Sequence, residues 1–196
     1  LIPWGAPPTN ERDFADAAPM QRVFQDWHQW LRDGLLDLAV PMNYARETDA
    51  RVREWFDGWI VWEKRHSHGR QLAIGLGAYL NAPHDLLAQI DRARQPDGGR
   101  RADGLSFFSY ATPTVPPAPG FDLSFLSGGA NGVAAPFAQP APAPSMPWID
   151  RPERGWLAGV VTAAPAELPD GVTVKVRRAG FALFRRTTAV LTDGNG

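Results

Sequence analysis

The spacing of apolar positions changes repeatedly along the first 110 residues, and each change marks a new element. After Pro19, apolar residues recur every three or four positions until Gly34, which predicts a helix over residues 19–33. Residues 35–44 are apolar almost throughout, as is typical of a strand that is buried on both faces. Because this strand-and-helix pattern recurs, we expect an α/β fold with a parallel sheet.

Later segments continue the same alternation. They are a helix with its apolar stripe from Val52 to Ile60, a strand over residues 71–80, a helix opened by Asn81 and Pro83, and a strand over residues 104–110. Gly75 and Gly77 would weaken an exposed strand, so they predict a place where a neighbouring backbone or side chain comes close. Tryptophans at positions 27, 30, 55 and 59 fall on the helical stripes and are expected to pack in the core, whereas Trp62 lies off the stripe.

The composition changes after residue 110 and divides the chain into three parts. Residues 111–150 are rich in Pro, Ala and Gly, which indicates a wrapping segment or linker, in which Phe121, Leu123, Phe125 and Leu126 could form one short apolar turn that covers the sheet. Residues 151–196 contain the period-two runs Val172–Val176 and Phe181–Phe184, which predict the start of a small all-β module of Ig-like or sandwich type. The opening "LIPWG" resembles the tail of an earlier strand, and the closing "TDGNG" is a hairpin-turn signal with no strand after it. We therefore expect both ends of the sequence to be cut from a longer protein.

Charge and residue usage exclude several classes of function. The 196 residues carry a formal charge of −1, which does not favour a nucleic-acid partner. There is no cysteine, so thiol nucleophiles and cysteine-ligated metals are excluded. No apolar stretch approaches the roughly 20 residues that span a bilayer, and no phosphate loop or metal cluster is recognisable. The sequence therefore predicts no membrane span, no metal and no cofactor.

The four histidines suggest no metal site. His66 and His68 are two residues apart and cannot share one face of a helix, so a zinc site made from these two is not expected. His28 lies on the polar side of its predicted helix and His84 lies in a first helical turn, and both are predicted to be exposed.

Five motifs occur in a recognisable order: "IPWG", "QDWHQWLRDGLLDLAVPMNY", "AIGLGAYL", "GLSFFSY" and "MPW". Together they resemble the C-terminal half of the glycosyl-hydrolase-10-like family of bacterial TIM-barrel proteins, over about residues 1–150. The resemblance implies that residues 1–110 supply strands five to eight of a (β/α)8 barrel. It also implies an extracellular or cell-envelope glycosidase whose N-terminal barrel half, with its main catalytic carboxylates, lies in another part of the polypeptide or in another chain.

In a TIM barrel the active site lies at the carboxyl ends of the strands. Aromatic faces pack on pyranose rings, while Asn, Ser and Tyr hydrogen-bond hydroxyl groups. This rule selects the following substrate-binding candidates: Trp4, Asn43, Tyr44, Tyr79, Ser109 and Tyr110. Tyr44 and Tyr79 could instead close the end of the barrel with their hydroxyl groups in water, and Trp4 could pack in the turn beside Pro3.

Glu47 is the candidate catalytic residue, because it lies within three residues of a predicted strand end. Glycoside hydrolysis usually needs two carboxylates, about 5 to 10 Å apart. The alternative is that Glu47 only stabilises the positive end of the following helix dipole. We therefore expect a glycoside hydrolase that acts on a polysaccharide, or alternatively a non-catalytic glycan-binding or scaffold protein on a degenerate barrel.

Overall fold

A computed structural model of the chain describes residues 3, 5–109, 124–128, 134–152, 173–177 and 187–191. The chain divides into two compact units, Leu1–Asp150 and Arg151–Gly196. The helices of the first unit are α1 (Glu11–Asp16), α2 (Ala18–Val23), α3 (Trp27–Asp33), α4 (Ala50–Arg65), α5 (Pro83–Arg94), α6 (Phe125–Gly128) and α7 (Pro147–Asp150), with a 3₁₀ turn at Ala78–Leu80. Its strands are β1 (Leu38–Ala39), β2 (Met42–Asn43), β3 (Gln71–Gly77) and β4 (Gly104–Phe108).

These strands form a small parallel sheet around β3, so the first unit is a mixed α/β structure. Strands β1 and β2 pair with successive parts of β3, with Leu38 opposite Gln71 and Met42 opposite Gly75. Strand β4 pairs with β3 over five residues, from Gly104 to Phe108. Helices α4 and α5 connect the parallel strands and pack against the sheet, as crossover helices do.

The two faces of the sheet differ. Leu72, Ile74 and Leu76 alternate along β3 and are fully buried in a core shared with helices α4 and α5. Apolar side chains elsewhere on the strands are exposed: Leu38 by 45%, Met42 by 37% and Phe108 by 51%. One face of the sheet is therefore covered by helices, while apolar surface on the strands remains accessible.

The helix predicted over residues 19–33 is wrong as one element, because the chain breaks it into α2 and α3. Phe24 takes a left-handed conformation (φ 53°) and ends α2. The Asp26 carboxylate then accepts a hydrogen bond from Gln29 N at 3.1 Å, which caps α3 separately. Gly34 (φ 76°) ends α3 as predicted.

The strand predicted over residues 35–44 is likewise divided, at Val40 and Pro41, into β1 and β2. Pro41 has no backbone N–H to donate, although its carbonyl still accepts from Gly75 N at 2.9 Å. A Cβ atom on Gly75 would lie 2.4 Å from that same carbonyl oxygen. The close approach predicted at this glycine is therefore confirmed, and it is an approach of backbone to backbone.

Most aromatic side chains of the helices lie where their spacing predicts. Trp27 and Trp59 are buried, and Trp30 and Trp55 pack partly buried against the core. Trp62 is also buried, so its off-stripe position in the sequence is a poor guide. His28, predicted to be exposed, is only 5% exposed, because it packs among the aromatic rings between helices.

The described parts of residues 124–150 pack on this sheet. Phe125 and Leu126 are buried in the core, and Phe137 contacts Phe107 of β4 edge to face. Gln71 donates a hydrogen bond from Nε2 to the Pro144 carbonyl at 3.0 Å. Trp148 donates one from Nε1 to the Asp37 carboxylate at 2.6 Å, near the amino ends of the strands. The proline-rich sequence thus runs along the sheet in these stretches.

The second unit contains an antiparallel pair of strands, β5 (Thr173–Arg177) and β6 (Thr187–Leu191). Strand β5 coincides with the predicted Val172–Val176 run, whereas the predicted Phe181–Phe184 run lies outside the described residues. Across the described parts of both units, no helix is long and apolar enough to cross a membrane.

Candidate functional site

Three aromatic rings meet at the carboxyl ends of the parallel strands. Tyr44 directly follows β2, Tyr79 lies in the 3₁₀ turn after β3, and Phe108 is the last residue of β4. The Tyr44 and Phe108 rings are stacked, with centroids 5.4 Å apart and planes inclined by 23°. Tyr79 meets them edge to face, at 6.1 Å from Tyr44 and 5.8 Å from Phe108. We call Tyr44, Tyr79 and Phe108 the aromatic platform.

The aromatic platform is partly open to solvent and can contact a ligand. Phe108 is 51% exposed, while the two tyrosines are half-buried. Burial, and the neighbouring Tyr79, raise the pKa of the Tyr44 hydroxyl above its ordinary value, so it stays neutral at physiological pH. A neutral phenol can both donate and accept a hydrogen bond beside an apolar ring face. This is the combination that a pyranose ring with its hydroxyl groups requires.

Gly77 makes room for the platform. A Cβ atom at this position would lie 3.0 Å from Tyr44 Cβ and 3.1 Å from Leu80 Cδ1. Tyr44 therefore lies directly against the backbone of β3, which places it beside the turn that carries Tyr79. A side chain on Gly77 would push the two loops apart.

Other sequence-predicted candidates lie around this platform or outside the described residues. Ser109 follows Phe108 immediately through a cis peptide bond and is half-buried. Trp4 and Tyr110 lie outside the described residues. Phe108 was not among the residues predicted from the sequence, although a period-two alternation along "GLSFFSY" predicts that positions 108 and 110 share one side of a strand.

Asn43 is engaged with a helix. Its side chain is 4% exposed, and Nδ2 donates a hydrogen bond to Glu63 Oε2 of α4 at 2.7 Å. Successive strand residues point to opposite faces of a sheet, so Asn43 faces α4 while Tyr44 faces the other rings. The structure therefore brings Tyr44 and Tyr79 together and places Ser109 next to Phe108 in the chain, but it directs Asn43 elsewhere.

Glu63 is a fully buried carboxyl group that was not among the predicted site residues. Burial raises its pKa to about 8, against the partial opposition of the hydrogen bond from Asn43. Two acceptor atoms here, Glu63 Oε1 and Asn43 Oδ1, are buried without a hydrogen-bond partner. A proton on Glu63 removes the buried charge, so we expect this side chain to be neutral at pH 7. Its position on the apolar stripe of α4 is the feature of the sequence that could have predicted its burial.

Glu47 lies in a buried polar network that faces α5. Its Oε2 accepts from Arg92 Nη2 at 2.6 Å and from Gln89 Nε2 at 3.3 Å. Arg92 also donates from Nε to Asp57 Oδ1 at 2.7 Å. The alternative in which Glu47 is a first-turn acid of the following helix is wrong, because α4 begins at Ala50 with no acidic residue in its first turn. The carboxylate that caps α4, by accepting from Arg51 N and Val52 N, belongs to Asp49. Glu47 joins the loop after β2 to α5.

Asn81 links the two loops that carry the tyrosines. It accepts from Glu47 N at 2.8 Å and donates to the carbonyls of Ala45 at 2.8 Å and Gly77 at 3.1 Å. The predicted role of Asn81 in opening α5 is wrong in detail, because Ala82 holds the cap position without a side-chain bond. Asn81 thus holds the loop that carries Tyr44 and Glu47 against the turn that carries Tyr79.

No group of three or more His, Asp or Glu side chains in the described part of the chain is arranged to hold a metal ion. Comparison with known proteins adds no relative. No family model, curated protein or solved structure matches this chain at significant similarity. Inferences about function therefore depend on the geometry of the platform and its supporting network.

Proposed function

We propose that this chain supplies the glycan-binding part of a glycoside hydrolase-like protein that acts on a polysaccharide. The aromatic platform carries this proposal, because three rings and two phenol hydroxyl groups converge at the carboxyl ends of adjacent parallel strands. Arg46, which is exposed and reaches the Leu80 carbonyl at 3.5 Å, would add hydrogen-bond donors at the rim. Ser109, Tyr110 and Trp4 are the further contacts that this proposal includes.

In this proposal the sheet is the second half of a (β/α)8 barrel. Three observations support it: the strands are parallel, helices cover one face, and Leu38 and Met42 remain exposed. Completing the barrel would bury that apolar surface against an N-terminal half in the same polypeptide or another chain. Mass spectrometry of the native protein, with light scattering, tests this. About 150 additional residues, in one chain or in a complex, are expected.

The main catalytic carboxylates would then lie outside this chain. Glu47 is paired with Arg92 and Gln89, so it is not free to act alone as an acid or a nucleophile. The proposal places hydrolysis on a pair of carboxylates supplied by the N-terminal half, at the extracellular or cell-envelope site that the motif order suggests. The chain itself should bind a glycan without cleaving it.

A non-catalytic glycan-binding or scaffold protein is the second candidate, and the occupied carboxylate of Glu47 favours it. Both candidates require the same platform, and they differ in what the complete protein does to the bound glycan. If the native protein releases reducing ends from the polysaccharide that it binds, it is a hydrolase. Binding without any release of reducing ends supports the scaffold.

Affinity gel electrophoresis against a panel of soluble plant, fungal and bacterial-wall polysaccharides tests glycan binding. Phe108→Ala removes one platform ring, and we expect it to weaken binding about tenfold, the equivalent of about 1.4 kcal/mol for one aromatic contact. Phe24→Ala is the matched control, since Phe24 is 80% exposed and no contact with the platform rings is described for it. Glycan binding at the platform is refuted if no polysaccharide retards the wild-type chain, or if both variants are retarded like the wild type.

A further inference from the structure

Three histidine rings cluster where α3 meets the end of α4, at the opposite end of α4 from the loop that follows β2. His28 of α3 lies 4.9 Å from His66 and 4.7 Å from His68, measured between ring centroids, and the last two rings are 6.4 Å apart. We call these three residues the histidine cluster. His66 also stacks on Trp62 at 3.6 Å. The two sides of the cluster belong to different helices, so the contact joins them.

The histidine cluster is graded in exposure, from a buried ring to an exposed one. His28 is 5% exposed, and its Nε2 is buried without a hydrogen-bond partner. His66 is half-buried, with Nδ1 at 2.7 Å from the Trp62 carbonyl oxygen. His68 is exposed and has a left-handed backbone (φ 52°). Solvent protons therefore reach His68 first and His28 last.

The aromatic contacts around His28 hold α1 and α3 against α4. Phe14 of α1 packs edge to face on Trp27 at 5.2 Å and on His28 at 5.7 Å. The same phenyl ring stacks on Trp62 of α4 at 5.9 Å. A charge on His28 would be enclosed by these apolar rings, with no anionic partner in contact with it among the described residues.

The charged groups that face the cluster are mostly cations. Arg32 comes from α3, Arg65 from the end of α4, and Arg100 from the turn before β4, whereas Glu11 of α1 is the opposing carboxylate. Desolvation, and the positive neighbours, lower the pKa of all three imidazoles, that of His28 to about 4. The closed arrangement therefore favours three neutral rings.

We propose that the histidine cluster is an acid-sensitive joint, at which proton uptake releases helices α1 to α3 from the end of α4. Three imidazolium groups cannot remain 4.7 to 6.4 Å apart beside three arginines without strong repulsion. Opening would move the rings apart and return His28 to water, where it can be charged. This inference stands independently of glycan binding, since it concerns a different part of the unit.

The expected size of the effect follows from the buried ring. If the pKa of His28 changes from about 4 when closed to 6.5 when open, opening becomes about 20-fold more favourable at pH 5 than at pH 7. Uptake of protons by His66 and His68 adds to this factor. Native-state hydrogen exchange of the whole chain measures the opening at α3, after correction for the intrinsic exchange rate at each pH. Helix α5 provides the internal reference.

His28→Phe keeps an aromatic ring, somewhat larger than imidazole, that cannot be protonated. We expect this variant to lose most of the additional α3 exchange at pH 5, while His84→Gln, at an exposed histidine of α5, should exchange like the wild type. If His28→Phe does not fold, the double variant His66→Gln/His68→Gln provides the test, and the slope of opening against pH should fall. The proposal is overturned if the corrected exchange rates of α3 and α5 change in parallel with pH, or if neither cluster variant reduces the pH dependence of exchange in α3.

Discussion

Replacing Glu47 by Gln removes one negative charge from the buried network that joins the loop after β2 to α5, and it leaves the side-chain shape almost unchanged. In the wild type the carboxylate accepts a 2.6 Å hydrogen bond from Arg92 and a 3.3 Å bond from Gln89. Glu47 is 7% exposed, so water cannot easily replace what the variant loses. The substitution therefore separates a structural role from a catalytic one.

The expected cost can be estimated from the contacts. Removing one partner of a buried ion pair costs about 3 to 5 kcal/mol. Two features reduce this cost: the Arg92 side chain is 29% exposed, and it keeps its bond to Asp57 at 2.7 Å. The glutamine oxygen can also accept one hydrogen bond. We therefore expect Glu47→Gln to lower the free energy of unfolding by about 2 kcal/mol.

Urea unfolding at pH 7 measures this change, and a double-mutant cycle with Arg92→Met isolates the pair. The loss of the bond to Asp57 cancels in the cycle, so a coupling of about 1 to 2 kcal/mol between positions 47 and 92 is expected. Glycan retardation by folded Glu47→Gln should equal that of the wild type. A coupling energy below about 0.5 kcal/mol would refute the structural role of Glu47. The same role would be refuted if Glu47→Gln left the stability unchanged but abolished hydrolysis by the native protein.

Two further predictions concern the strand β3 contacts and the buried acid. Gly75→Ala should destabilise the fold by about 3 kcal/mol in thermal unfolding, because its Cβ would lie 2.4 Å from the Pro41 carbonyl oxygen. The control is Gly104→Ala, whose Cβ would have its nearest neighbour at 3.7 Å, and this variant should be close to neutral. Equal effects would contradict the close approach. Because burial raises the Glu63 pKa to about 8, the neutral form stabilises the fold at low pH and that stability is lost as pH rises from about 4.5 through 8. Glu63→Gln should therefore reduce the difference between the free energies of unfolding that urea unfolding gives at pH 5 and at pH 8.5. A wild type whose free energy of unfolding is the same at both pH values would contradict this.

Periodicity predicted the order of helices and parallel strands, but not where two of them are interrupted. Apolar positions from Met20 to Leu31 fit one helix, and the break at Phe24 depends on a competing cap at Asp26. The free energies of a capped break and of a continued helix differ by only about 1 kcal/mol. Tertiary packing therefore decides which of the two forms. The interruption of the strand at Pro41 was easier to predict, because a residue without a backbone N–H weakens any strand interior.

The candidate site was predictable in its location and less so in its details. The rule that ligands meet the carboxyl ends of parallel strands selects Tyr44 and Tyr79, and their rings do meet there. The direction of each neighbour was harder to predict, since Asn43 and Glu47 turn toward α4 and α5. Which of two adjacent residues faces a helix depends on partners 20 and 45 positions away, and one sequence does not reveal such pairs.

In the proposed function, glycan recognition by this chain is separate from hydrolysis. A hydrolytic carboxylate must be free to take up or release a proton, and it must lie beside the glycosidic bond. Glu47 is paired with Arg92 and Glu63 is hydrogen-bonded to Asn43, and both side chains are buried, so both hold the strand ends in place and neither is open to a glycosidic bond. The aromatic platform carries no such commitment, and its exposed ring at Phe108 is available to a sugar. If glycan binding depends on Phe108 while Glu47→Gln changes only stability, the carboxylates that cleave the glycan must come from outside this chain.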